Sequence, residues 1–236
     1  MTDTGKMNKL KDYLIGDKFF YRRVLWIVLP IIIQNTITNV VSLLDNVMVG
    51  RVGTLEMSAV AVVNQLIFVF NLCIFGAVSG AGIFGAQYAG KKDDEGLKHT
   101  FRFKIMFCVL ISLLGILLFA FFGEPLLNAY LQGEGNVEDA FHTLQYAKDY
   151  LNIMLIGLIP ASIVQAYSST LRETGKPKVP MYAGVVAVLV NLCLNYILIF
   201  GSFGAPRLGV NGAAIATVVS RFVELLFIAL WTRLHE

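Results

Sequence analysis

Six stretches of this sequence stay apolar for the roughly 20 residues that a helix needs to cross about 30 Å of hydrocarbon. They cover residues 24–50, 57–85, 101–122, 150–170, 180–201 and 212–231. Lipid offers the backbone no hydrogen-bonding partner, so each stretch must satisfy its own N–H and C=O groups, and helices are the open-chain solution. The composition agrees: 56% of the 236 residues are hydrophobic, 15% are charged and the mean hydropathy is +0.68. A soluble domain of this length is excluded. The expected fold is all-α and integral to the membrane, a six-helix bundle. Residues 1–23 form a polar tail, 24–232 the transmembrane lobe and 233–236 the C-terminal end. The first apolar run is too long for a signal-peptide core and shows no cleavage site, so no cleavage is expected.

The basic residues set the topology. Lys6, Lys9, Lys11, Lys18, Arg22 and Arg23 precede the first segment, Lys91, Lys92, Lys98, Arg102 and Lys104 follow the second, and Arg172, Lys176 and Lys178 follow the fourth. The other connections hold only Arg51, Lys148 and Arg207, and the long one at 123–149 is acidic, with Glu124, Glu134, Glu138 and Asp139. The positive-inside rule therefore places both termini in the cytoplasm of a multi-pass plasma (inner) membrane protein.

Catalytic chemistry finds no support. The sequence has no GxSxG, HExxH, Walker or Rossmann pattern and no paired intramembrane aspartates, so an enzyme is not expected. Cys73, Cys108 and Cys193 fall inside apolar runs without metal spacing and read as packing residues. His99, His142 and His235 are too dispersed for a histidine metal site, and no cofactor is expected. In the second segment, Gly76-x-x-x-Gly80 fits close helix contact, and that glycine-rich run reads as packing geometry.

Polar residues within the spans carry the functional signal. In the first segment Asn35, Thr38, Asn39, Ser42, Asp45 and Asn46 share one helical stripe, which must face other helices or water. A carboxyl group within a span costs about 3 kcal/mol on insertion scales, which makes Asp45 a functional candidate. In the fifth segment Asn191 and Asn195 lie one turn apart, and the sixth holds Thr217. Asp45 lies five residues before Gly50, Asn195 six before Gly201 and Thr217 five after Gly212. At 1.5 Å per residue all three sit about 7–9 Å below one membrane face, with Asn191 a turn deeper. A carboxylate, two amides and a hydroxyl at that depth could hold a small hard cation or a proton. A purely structural hydrogen-bond cluster is the alternative for the amides. Gln34, Thr38, Ser42 and Gln65 are candidate cavity-lining residues, and Asn64, Asn71 and Gln165 could serve likewise. Arg221 and Glu224, three apart, read as a self-neutralising pair.

Several strings together resemble the MATE (multidrug and toxic compound extrusion) family. They are Pro30, Gln34, Asp45, Val49 and Gly50 in the first segment, GAQYAGKKD after the second, QAYSSTLRETGKPKVPM between the fourth and fifth, and the run from Asn191 to Thr217. The resemblance implies two six-helix bundles with alternating access and small organic cations expelled in exchange for sodium ions or protons. It also implies an N-lobe cation site matching Asp45, Asn191, Asn195 and Thr217, with no metal beyond a sodium ion. Some relatives carry a second carboxylate at the Asn195 position, and many have Arg-Gly-x-Gly where this chain reads Arg172-Glu173-Thr174-Gly175. Only one lobe of the twelve-helix family is present. The chain is thus expected to be a fragment, or to pair with a second six-helix lobe or another copy in the bilayer; nucleic acid is not an expected partner. A lipid-linked oligosaccharide flippase and a non-transporting scaffold or inactive fragment are the competing readings, the first disfavoured by Asp45 and the scarcity of intramembrane Lys or Arg.

Overall fold

The computed structural model of the protein describes residues 17–131 and 137–235. Lys6, Lys9, Lys11 and Glu134, used above in the topology argument, lie outside the described residues. Six helices follow in order: α1 (Lys18–Gly50), α2 (Thr54–Lys91), α3 (Asp94–Leu131), α4 (Val137–Glu173), α5 (Lys178–Phe200) and α6 (Val210–His235), with a 3₁₀ turn at Ser202–Gly204 before α6. All six are long and apolar enough to span a bilayer, and no strand occurs among the described residues. Large apolar side chains face outward, including Phe75, Phe121 and Ile156, as a lipid-facing surface requires.

Most helices are longer than the apolar windows suggested. The connection expected at 123–149 is largely helical, because α3 continues through Pro125 to Leu131 and α4 begins at Val137. Hydropathy measures the hydrocarbon slab, whereas a helix continues into the interface wherever water can satisfy its ends. Two of the helix starts near the basic end carry side-chain caps: Asp17 Oδ1 accepts from Phe20 N at 2.7 Å, and Asp93 Oδ1 accepts from Gly96 N at 3.0 Å, whereas α5 starts after Pro177 without one.

The core is built around α4, which packs on α2, α3 and α6, while α1 rests chiefly on α5. Val63, Ile67, Phe70 and Ile74 of α2 meet Cys108 and Phe119 of α3 and Leu151 and Leu158 of α4. Between α3 and α4, Ser112 Oγ donates to Ser162 Oγ at 2.7 Å. Of the three cysteines only Cys108 is buried; Cys73 and Cys193 are exposed.

Two sequence readings need correction here. Lys104 was counted with the loop charges, yet its side chain is fully buried on α3 and its Nζ lies 2.6 Å from both carboxylate oxygens of Glu173 on α4. Ser169 Oγ and Thr170 Oγ1 add contacts at 3.3 and 3.4 Å. The close approach expected of Gly76 and Gly80 is made elsewhere, since a Cβ at either would meet nothing within 4 Å. Gly82 and Gly85 make it instead: a Cβ there would run into the Glu173 carboxylate. They lie six and five residues further along α2, on the face turned toward α4.

The α5–α6 connection sets the register that the polar site needs. Gly201 ends α5 in the left-handed region at φ 73°, and Leu208 N returns to Leu198 O at 2.9 Å. Gly212 then lies so close to α5 that a Cβ would come within 2.7 Å of Leu198 O. Starting α6 against the last turn of α5 places Thr217 beside Asn191.

Candidate functional site: a polar cluster between α1, α5 and α6

The four residues singled out by depth converge. Asn195 Nδ2 donates to Asp45 Oδ1 at 2.6 Å and to Asn191 Oδ1 at 3.1 Å, and Asn191 Nδ2 donates to Thr217 Oγ1 at 3.3 Å. Asn191 and Asn195 are buried, at 5% and 0% exposure. A hydrogen bond to a charged group contributes about 1.5–3 kcal/mol, comparable to the roughly 3 kcal/mol insertion cost of the carboxylate. The Asp45–Asn195 bond therefore offsets much of the burden of placing Asp45 in the span.

One atom is left over. Asn195 Oδ1 is buried and has no hydrogen-bond donor among the described residues, a state that costs about 1–3 kcal/mol. The neighbouring Asn191 amide is better satisfied turned over, when its nitrogen donates to Asp45 Oδ1 at 3.1 Å and its oxygen accepts from Thr217 Oγ1 at 3.3 Å. The cluster thus holds a carboxylate, two amide oxygens and a hydroxyl oxygen within reach of one another. Such oxygens suit a hard monovalent cation or a shared proton. No group of three or more His, Cys, Asp or Glu side chains gathers as a metal site among the described residues.

The cluster forms one wall of a cavity of about 650 Å³. Thr38, Asn39, Ser42 and Asn46 line it from α1, Asn64 and Asn71 from α2, and Tyr150 and Met154 from α4. Arg221 and Glu224 line its far part, paired at 2.9 Å as their spacing suggested. Gln34 and Gln65 do not line it. Gln34 packs on Gly184 and accepts from Arg172 Nη2 at 3.0 Å, and Gln65 is exposed one position beyond the lining residue Asn64. Gln165 likewise points outward and Asn35 stands off the lining. Tyr150, buried at 4% exposure, was missed as a lining residue because a tyrosine at a span end reads as an interface anchor.

The six-span arrangement has counterparts among solved structures. The MatE family model matches residues 30–197, which reaches from α1 to Asn195. The chain belongs to the MATE family of multidrug transporters. Among its MATE relatives is a Thermotoga maritima protein named "Probable multidrug resistance protein NorM", 29% identical over 217 residues, covering 90% of this chain and 45% of that protein. The Bacillus subtilis "Probable multidrug resistance protein YoeA" is 31% identical over 216 residues with the same coverages. The fold is shared with a MATE solved in a bent conformation, at TM-score 0.76 and 22% identity over 89% of this chain and 45% of that one. An outward-facing multidrug resistance MATE transporter superposes at TM-score 0.75 and 21% identity, covering 89% and 44%. This MATE chain therefore spans under half the length of the curated relatives it matches.

Proposed function

We propose that this chain is the N-terminal lobe of a secondary active antiporter that exports organic cations in exchange for sodium ions or protons, with Asp45, Asn191, Asn195 and Thr217 holding the coupling ion. The observation that carries the reading is the buried, unpartnered Asn195 Oδ1 beside the Asp45 carboxylate. A cluster serving packing alone has no use for an acidic group and a stranded acceptor in the same few ångströms. Turning the Asn195 amide would replace its N–H donor toward Asp45 by an oxygen ligand, so ion arrival and departure can be traded against the direction of that buried amide. That trade couples α1 to α5 and α6, and it biases the packing of the polar α1 stripe, where the adjoining cavity takes cargo. Both termini face the cytoplasm of the inner membrane, and a second six-helix lobe completes the transport cleft.

The test separates binding from transport. Equilibrium binding of radioactive sodium to the purified chain is expected to disappear with Asp45→Asn. Efflux of a fluorescent cationic dye is expected from vesicles carrying the chain with a C-terminal partner lobe under a sodium or proton gradient, and to stop with the same substitution. Efflux that ignores Asp45, or a chain that inserts and folds but supports neither binding nor efflux under either gradient, rules the proposal out in favour of a scaffold.

A further inference from the structure

At the end of the bundle opposite the polar cluster, a second cavity of about 900 Å³ opens between the ends of α1, α2, α3, α4 and α6. Its lining is strongly cationic. Arg23, Lys92, Lys98, Arg172 and Lys176 face it against only Asp94 and Glu173, and the Glu173 carboxylate is already held by Lys104 behind the wall. Among the described residues, with Lys176 held over Trp231 and set aside, the surplus is two positive charges, four against two, or three with Lys104 counted. Ala86, Ala89 and Gly90 keep the α2 wall low, and the hydroxyl-bearing Thr170, Thr174 and Thr232 line the remainder.

Two independent features say what such a pocket would hold. The guanidinium of Arg172 donates to Gln34 through Nη2, while its buried Nε has no acceptor among the described residues. A fork of N–H donors short of acceptors fits a phosphate, whose oxygens are matched to it in geometry and charge. The pocket also sits at headgroup depth. Lys176 Nζ lies 5.5 Å over the Trp231 ring and Lys178 Nζ 5.4 Å over Trp26, so both tryptophans of the chain flank this end with a cation on each. Tryptophan and lysine pairs of this kind mark the boundary between hydrocarbon and polar headgroups.

We infer that this basic cavity is a binding site for a phosphate group, carried by the headgroup of an anionic phospholipid or by a soluble phosphate compound. The volume, far larger than a bare phosphate, leaves room for the glycerol portion of a headgroup. Basic pockets between transmembrane helices bind lipid phosphates through this chemistry. The site lies on the opposite side of the bundle from Asp45, and its existence does not depend on the transport reading.

The chain's intrinsic fluorescence comes from Trp26 and Trp231 and reports on this end of the bundle alone among tryptophans. In a neutral detergent the chain is titrated with phosphatidylglycerol, with phosphatidylcholine and with inorganic phosphate. A saturable response to phosphatidylglycerol and none to phosphatidylcholine is expected. Each basic residue near a lipid phosphate contributes about fivefold in affinity, so Arg23→Gln/Lys92→Gln/Lys98→Gln is expected to weaken binding about a hundredfold. Arg51→Gln/Arg207→Gln, at the other end, leaves it unchanged. A saturable response to inorganic phosphate with the same dependence on the three residues assigns the pocket to soluble phosphate compounds. Equal responses to both lipids, no response to any ligand, or equal weakening by the two sets of substitutions would overturn the inference.

Discussion

Replacing Glu173 by Gln removes half of a buried ion pair whose other half cannot move to water. The Lys104 side chain is fully buried, and among the described residues Glu173 is its one carboxylate contact, at 2.6 Å, beside hydroxyls at 3.3 and 3.4 Å. Leaving one charge of such a pair uncompensated costs about 3–5 kcal/mol. The reverse substitution should be milder. Glu173 is 11% exposed at the edge of the basic cavity, where Arg172 and Lys176 also stand, so Lys104→Met strands a group that has recourse to solvent and to other cations. Its expected cost is nearer the roughly 1–3 kcal/mol of an unsatisfied buried group. The double variant, Lys104→Met with Glu173→Gln, removes both charges while keeping their volumes, and should return to within about 1–2 kcal/mol of the native chain. Unfolding of the chain in mixed micelles of increasing denaturing detergent, followed by tryptophan fluorescence, gives the three differences. The account is wrong if Glu173→Gln costs under about 1 kcal/mol, or if the double variant loses the sum of the singles.

Three smaller tests use the same assay. Gly212→Val pushes a side chain into the Leu198 carbonyl and should cost about 1–3 kcal/mol, whereas Gly76→Ala and Gly80→Ala, with open space around both, should stay within about 0.5 kcal/mol. Asn195→Leu removes the donor that holds Asp45 and should destabilise the chain by about 1.5–3 kcal/mol, while Asn195→Asp, which sets a second carboxylate against the first, should make stability depend on added sodium, read as a salt-specific shift that choline chloride does not reproduce. Ser112→Ala, which breaks one interhelical hydroxyl bond at 2.7 Å, should cost only about 0.6 kcal/mol, the usual yield of such bonds within a membrane.

The contrast between what was and was not legible in the sequence follows from helix geometry. Rise per residue fixes depth once the direction of each span is known, and that depth brings Asp45, Asn195 and Thr217 to one level with Asn191 a turn away. Depth does not give a neighbour. Gln34 lies on the same face of α1 as Asp45, but eleven residues, or about 16 Å, toward the other end, and there its amide is taken by Arg172. Gln65 fails by azimuth, since one step along α2 from Asn64 turns its side chain by about 100° and out of the cavity. Helix ends were misplaced because apolar windows sense hydrocarbon, and the helical stretch from Gly123 to Leu131 lies beyond the window drawn for α3.

The buried ion pair shows why a local departure from a family pattern has to be read across several helices. Glu173 stands where the resemblance led one to expect glycine, on the last residue of α4. An acidic side chain introduced there needs a counter-charge and space, and neither is nearby in sequence. Lys104, 69 residues earlier on α3, supplies the charge, and Gly82 and Gly85 on α2 supply the space. In the sequence the lysine reads as one more vote for positive-inside topology, the two glycines as part of a glycine-rich run beyond Gly76-x-x-x-Gly80, and the glutamate as a loop substitution. Together they are one device that ties three helices at the basic end, adjacent to a cavity whose cations are left in excess because the main acid there is already neutralised. The same pair that stabilises the bundle therefore conditions what the cavity can bind: freeing Glu173 by Lys104→Met should weaken phosphatidylglycerol binding as well as the fold, with Lys104 itself never touching the lipid.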